Sequence, residues 1–527
     1  MSAGAGTRPP LSLVLPAGIV VALLQLPLVY LALRTLRSGE VWEILWRERT
    51  LELVVSTGLL VLGVTSAAVV IGVALAWLVI RTDLPGRRLW GVAAALPLVI
   101  PSYVAALALL GALGPRGLAQ QALGVEELPD IRGYWGALLA LTLTTYPYVY
   151  LLCASALRNQ DPALEDAARG LGYSRWRTFF TVTFPMLRPT VGVGAVLVAL
   201  YVLSDFGVVS LMNYDALTRA IYLNYRALFD RTPAAVLALL LVVLTVAVLL
   251  IEAWTRRRAR YYRSAPGAAR VLKTVPLGRW RWPSLAFCGL SVAFFLALPA
   301  AVLGYWLAQG IENERDLAFP WAETVDSLTA SALAAGVAAV VALPIAVLAT
   351  RFRSPRTRLL ERLGYSGNAL PGIVIALSLV FFTARYASPL YQTLALLVFA
   401  YVIRFLPQAL SGATSSLETV SPRVEEAARG LGRGTLGTLK AVTVPLARSG
   451  VLAGAALVFL SAMKELPATL LLRPIGFDTL ATEIWTLTTV GAYSRAALPA
   501  LVLIAVSAPV LYLLSADRRP QSGSGVE

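Results

Sequence analysis

Residues 161–189 read DPALEDAARGLGYSRWRTFFTVTFPMLRP, and residues 421–448 read SPRVEEAARGLGRGTLGTLKAVTVPLAR. Glu165, Arg169, Gly172, Pro185 and Arg188 recur as Glu425, Arg429, Gly432, Pro445 and Arg448 at one constant offset, so the chain is internally duplicated. Each copy opens on an N-cap candidate followed by proline at the first helical position, Asp161-Pro162 and Ser421-Pro422. An Ala-rich helix then runs to glycines at 170/172 and 430/432. A second helical run is expected to end at Pro185 or Pro445. Each unit therefore reads as helix, Gly-permitted turn and helix, polar but bounded on both sides by long apolar runs.

Of the 527 residues, 58% are hydrophobic and 14% charged, a balance that would leave large apolar surfaces on a water-soluble globule. The chain reads as an all-α integral membrane protein embedded in a lipid bilayer. Its net charge of +16 has a topological explanation in loops on one side of the membrane, so no nucleic-acid partner is inferred. Two cysteines, Cys153 and Cys288, both inside apolar runs, and no histidine leave neither a disulfide framework nor an imidazole or thiolate metal site. No bound metal is expected.

Apolar runs predict spans at about 11–33, 51–80, 88–113, 134–157, 190–211 and 233–254, then at about 284–309, 325–350, 367–384, 390–412, 449–470 and 493–515. That gives twelve transmembrane helices in two parallel six-span repeats, residues 1–262 and 283–527, joined by a basic linker at 263–282. Connector 255–282 carries nine Arg and Lys and no acid, and the loop after the eighth span carries Arg351, Arg353, Arg356, Arg358 and Arg362. Loop 310–324 is acidic instead, with Glu312, Glu314, Asp316 and Glu323. The positive-inside rule places the basic loops, both termini and both repeated polar units in the cytoplasm. Arg81 pairs with Arg351, and Pro101-Ser102 with Pro371-Gly372, at an offset ten larger than that of the polar units. Prolines 97, 101 and 371 mark expected kinks beside a cavity.

The two polar units resemble the EAA loop of binding-protein-dependent ABC importer permeases: Glu-Ala-Ala, three residues, Gly, nine residues, apolar-x-apolar-Pro. The first copy supplies Asp166, Ala167, Ala168, Gly172, Val182, Phe184 and Pro185. The second supplies Glu426, Ala427, Ala428, Gly432, Val442, Val444 and Pro445, with Asp166 for Glu the one departure. The resemblance implies that Glu165, Asp166, Ala167, Ala168, Arg169, Gly172 and Pro185, with Glu425, Glu426, Ala427, Ala428, Arg429, Gly432 and Pro445, couple the chain to two copies of a cytoplasmic ABC ATPase. It also implies an extracytoplasmic solute-binding protein and a bacterial inner-membrane location, here with two permeases fused. No Gly-x-x-x-x-Gly-Lys-[Ser/Thr] occurs, so ATP and Mg belong to the partner; this chain is expected to bind no cofactor and to be a transport subunit, not an enzyme.

Asp205 and Glu465 fall at equivalent ends of the fifth and eleventh spans. An ionisable residue in an apolar span usually faces protein or a water-filled path, so these two, with Lys464 positioned to neutralise Glu465, are candidates for the translocation path. The competing reading makes them helix-end groups. Beyond them Asp215 and Tyr222 match Asp478 and Trp485, candidates for the outer face, each Asp an N-cap and each aromatic an interfacial anchor. The stretches 204–222 and 464–485 resemble those of ferric-iron permeases within the family, which implies ferric iron as cargo. Permeases for thiamine, oxyanions or polyamines share the architecture, and a secondary transporter or a membrane scaffold is the alternative from another class.

Overall fold

The computed structural model describes residues 9–114, 117–124, 129–160, 163–227, 231–258, 274–313, 317–352 and 354–516. Asp161-Pro162, most of the basic linker (259–273), Glu314 and Asp316 lie outside the described residues, as does the side chain of Arg429. The long apolar runs fold as helices because a chain in hydrocarbon must satisfy its own backbone hydrogen bonds. In the first half these are α1 (Leu11–Arg37), α2 (Glu48–Arg81), α3 (Ser102–Leu113), α4 (Tyr134–Arg158), α5 (Phe179–Ser204) and α6 (Thr232–Trp254). The second half supplies α7 (Gly278–Glu312), α8 (Trp321–Arg351), α9 (Gly372–Tyr386), α10 (Leu394–Thr419), α11 (Leu439–Met463) and α12 (Tyr493–Ala516). Among the described residues eleven helices are long and apolar enough to cross a membrane, and one bent pair makes a twelfth candidate.

Three features depart from uninterrupted spans. The third and ninth are broken: Pro101 and Pro371 hold extended backbone immediately before α3 and α9, and segments Pro355–Ala369 and Gly372–Tyr386 meet at 102°. The fifth and eleventh stop early, at Ser204 and Met463, and short separate helices Gly207–Leu211 and Pro467–Leu472 follow. Those two spans also start early. The helical runs expected to end at Pro185 and Pro445 continue through them, because π-turns at Phe179–Thr183 and Leu439–Thr443 widen the helix just before each proline. A wider turn accommodates the missing N–H and the ring that would clash with a carbonyl four residues back.

The halves exchange their first helices. Gln25 of α1 donates to Ser366 Oγ at 2.8 Å and to the Leu363 carbonyl at 3.2 Å, and the Arg34 guanidinium lies 4.0 Å from the centre of the Phe381 ring of α9. Reciprocally, Trp306 of α7 donates to the Gly111 carbonyl of α3 at 3.2 Å, and the rings of Phe295 and Tyr146 lie 4.9 Å apart. The end of the linker binds back on the first half: Val275 N–H donates to the Arg81 carbonyl at 2.7 Å, and Leu277 N–H to Asp83 at 2.8 Å.

Candidate functional site

The repeated polar units form helices Ala163–Gly170 and Pro422–Gly430. Each ends on a glycine in the left-handed region, Gly172 at φ +85° and Gly432 at φ +84°. Beyond them Tyr173 N–H bonds the Ala168 carbonyl at 3.1 Å and Arg433 N–H the Ala428 carbonyl at 3.3 Å. A residue with a Cβ strains that backbone, so glycine fixes how the chain turns toward α5 and α11.

Glu165 and Glu425, expected among the coupling residues, point inward. Glu165 is buried in an ion pair with Arg81, the last residue of α2, and accepts from the Thr183 hydroxyl at 2.7 Å. Glu425 is paired at 2.9 Å with Arg351, the last residue of α8, and accepts from Thr443 at 3.0 Å. Arg351 also donates to the Leu417 and Val420 carbonyls, at 3.0 and 3.2 Å. Ala168 and Ala428 are buried beside these acids. The exposed faces present Leu164, Asp166, Ala167 and Leu171 in one copy and Val424, Glu426, Ala427 and Leu431 in the other. Leu171 and Leu431 are 79% and 86% exposed, a cost in water that marks a surface built to be covered. Asp166 departs from the EAA pattern only at this exposed position; the buried Glu–Arg and Glu–Thr contacts recur in both copies, while the bonds from the arginine to backbone carbonyls belong to the second copy.

Between α5 and α11 lies a cavity of about 630 Å³, lined on one side by Tyr201, Ser204 and Asp205 and on the other by Ser461, Lys464 and Glu465. Both acids line it and both cap a helix. Asp205 accepts from Val208 N–H at 2.9 Å and from the Ser102 hydroxyl at 2.5 Å. Glu465 accepts from Ala468 N–H at 3.2 Å and pairs with Arg404 Nε at 3.2 Å. These bonds satisfy orphan N–H groups at the starts of the two short helices. Lys464, expected to neutralise Glu465, donates instead to the Leu98 carbonyl of the other half at 3.2 Å; the counter-ion is Arg404.

Arg404 stands at the repeat position of Thr144, and Gly372 at that of Ser102. A Cβ at Gly372 would collide with the Arg404 guanidinium and the Glu465 carboxylate, so its absence makes room for the ion pair. Sequence reasoning passed over Arg404. The available signal was an arginine three residues before Pro407 in a span otherwise almost wholly apolar.

Tyr222 and Trp485 correct a further expectation. Neither is an isolated interfacial anchor: Tyr222 is buried, and both pack on Phe206, with ring centres 4.8 Å (Phe206–Tyr222), 6.2 Å (Phe206–Trp485) and 6.0 Å (Tyr222–Trp485) apart. This aromatic cluster joins the halves next to the acid-lined end of the cavity. Asp215 and Asp478 are not the helix caps either. Asp215 holds Arg219 at 2.6 Å and Arg49 at 2.7 Å, and Asp478 pairs with Arg473. The helix beginning at Leu217 is capped by Thr57 of α2 at 3.0 Å. The equivalent helix at Leu480 is capped by its own Thr479, with Ser327 of α8 accepting from Leu480 N–H at 2.8 Å. Among the described residues no group of three or more Asp, Glu, Cys or His side chains is placed to hold a metal ion.

Residues 44–261 and 338–518 match the family model described as "Binding-protein-dependent transport system inner membrane component". The chain belongs to this family. It is therefore a multi-pass membrane protein of an inner-membrane transport system, a non-catalytic transport subunit whose family works with an ATPase and a binding protein. It is similar to an Fe(3+)-transport system permease protein of Haemophilus influenzae, 34% identical over 515 residues, covering 96% of this chain and 98% of that one. A ferric transport system permease protein of Actinobacillus pleuropneumoniae is 23% identical over 81% of this chain and 66% of its own. A molybdenum transport system permease protein of Escherichia coli is 35% identical over 218 residues, 38% of this chain and 93% of its own.

Proposed function

We propose that this permease carries ferric iron across the inner membrane, delivered by an extracytoplasmic binding protein and driven by two copies of a cytoplasmic ATPase. The observation that carries the reading is the end-to-end similarity to an Fe(3+)-transport permease, which spans both halves and the segment joining them. Helices Ala163–Gly170 and Pro422–Gly430 are the two docking points, one per ATPase, with Leu164, Leu171, Val424 and Leu431 as the apolar contacts and Asp166 and Glu426 beside them. Glu165 and Glu425 transmit what happens there, since each is ion-paired to the end of a long helix. The basic loops and both termini lie in the cytoplasm. The cavity between α5 and α11 is the path, with Asp205, Lys464 and Glu465 on its wall, and the Phe206–Tyr222–Trp485 cluster is its outer seal. ATP and Mg are used by the partner.

Uptake of 55Fe(III) by cells expressing the chain with its partner subunits tests this: accumulation should need both the binding protein and a hydrolysis-competent ATPase. Accumulation of molybdate without iron would favour the second reading, an oxyanion permease, which the similarity of one half to a molybdenum permease supports.

A further inference from the structure

The charged groups of the cavity are unevenly committed. Each carboxylate oxygen of Asp205 and of Glu465 already accepts a hydrogen bond or an ion pair from the protein. Glu252, the remaining acid on the wall, has an interaction of its own. The donors are in surplus. Arg404 uses Nε on Glu465 and packs Nη1 against Gly372, while its side chain as a whole stays 19% exposed. Lys464 gives one proton to the Leu98 carbonyl and has two more. A bare trivalent cation entering here meets two cations and three carboxylates that already have partners, whereas an oxygen-rich anion supplies acceptors to the ammonium and guanidinium.

The first half strengthens the point, because the same fold does without the cations there. Thr144 replaces Arg404 and bonds back to carbonyls of its own helix, at 3.2 Å to Leu141 and 3.4 Å to Ala140; Ser204 replaces Lys464, and Ser102 satisfies Asp205. The missing side chain at Gly372 makes room for a guanidinium that Glu465 engages through Nε.

We infer that Arg404 and Lys464 form an anion subsite in the translocation path, and that cargo passes with oxygen ligands, carboxylate or mineral oxyanion, instead of as a naked cation. The inference rests on reading the cavity as the path; it does not need the metal to be iron.

The test uses cells carrying the full chain and its partner subunits, given 55Fe(III) with [14C]citrate, 55Fe(III) with [32P]phosphate, or [99Mo]molybdate alone. The decisive variant combines Arg404→Thr, Gly372→Ser and Glu465→Asp, which rebuilds the first half's Thr144–Ser102–Asp205 arrangement in the second. Uptake should fall about tenfold or more, with membrane level and ATPase copurification unchanged, and Lys464→Ser should lower it in the same direction while Arg404→Lys retains most of it. Lys464→Ser removes a single hydrogen bond and keeps the question answerable if the triple variant misfolds. Entry of an anion label with 55Fe, lost in these variants, supports both the subsite and iron. Entry of molybdate without iron, lost in the same variants, supports the subsite and removes iron. Wild-type uptake in the variants overturns the subsite whichever cargo enters, and entry of 55Fe with no accompanying label overturns it and leaves the iron reading standing.

Discussion

Arg351 holds Glu425 at 2.9 Å at the point where a long helix ends and a loop helix begins, and Arg81 holds Glu165 in the same way in the other half. Removing one member of such a buried pair leaves an uncompensated charge, at a cost of about 3–5 kcal/mol. Arg351→Met should therefore lower the melting temperature of the purified chain and abolish ATPase copurification. The double variant Arg351→Met/Glu425→Gln should recover much of the melting temperature but not the transport, because the mechanical connection stays cut. Recovery of both would show that the pair serves stability alone.

Gly172 and Gly432 sit at φ +85° and +84° with open space where a side chain would go. Valine at either position meets no steric neighbour, so its whole penalty, about 1–3 kcal/mol, is backbone strain in the turn. Gly432→Val should weaken ATPase copurification while leaving the amount of protein in the membrane unchanged; Gly432→Asn, which tolerates the left-handed region better, should weaken it less. Equal effects of the two would exclude the conformational explanation.

Leu171 and Leu431 are exposed and touch little of this chain, so Leu171→Asp and Leu431→Asp should leave thermal stability within about 0.5 kcal/mol of the parent. Copurification of the ATPase is the sensitive measurement, and each single change should reduce it. Full retention in the double variant would place the docking surface elsewhere.

Asp205 accepts the Val208 N–H on one oxygen and the Ser102 hydroxyl on the other; an amide keeps the first on its oxygen and donates to a turned Ser102 hydroxyl through its nitrogen. Asp205→Asn should keep iron uptake within about threefold of the parent, whereas Asp205→Ala leaves the Val208 N–H unmet and should cost about 1–2 kcal/mol of stability. A severe transport loss in the amide variant at normal expression would instead assign the charge itself a part in translocation.

Orientation is checked by cysteine labelling, for which the native background is low because Cys153 and Cys288 are buried. Cysteine at Glu312 should react with an impermeant thiol reagent on intact spheroplasts, and cysteine at Gly434 only after permeabilisation. The reverse pattern would invert the topology.

The duplication, the membrane class and the two loop helices were legible because each has a local signature: fixed offset, apolar length, Pro and Gly punctuation. The Arg81–Arg351 correspondence was legible too, but not its purpose. Helical wheel position alone does not reveal that Glu165 and Glu425 turn toward those arginines while Asp166 and Glu426, one residue on, face out. Pro101 and Pro371 read as kinks and proved to be breaks, since extended backbone at each proline separates two helices. The clustering of Tyr222 and Trp485 was not legible because their partner, Phe206, comes from another segment of the fold, and sequence spacing carries no information about such meetings.

The exchange of first helices sets an order of events during synthesis. When α6 leaves the ribosome, α1 can meet α6 alone, through the Thr35 hydroxyl and the Ala235 carbonyl at 3.4 Å, because Ser366 and Phe381 are still untranslated; α3 likewise waits for Trp306. The amino-terminal half therefore enters the lipid with two apolar faces unclaimed and reaches its final packing only after more than a hundred further residues have been made. Tethering the second half to the first raises its local concentration at that moment to the millimolar range expected for a short linker, and it ensures that the late-arriving partner is the right one.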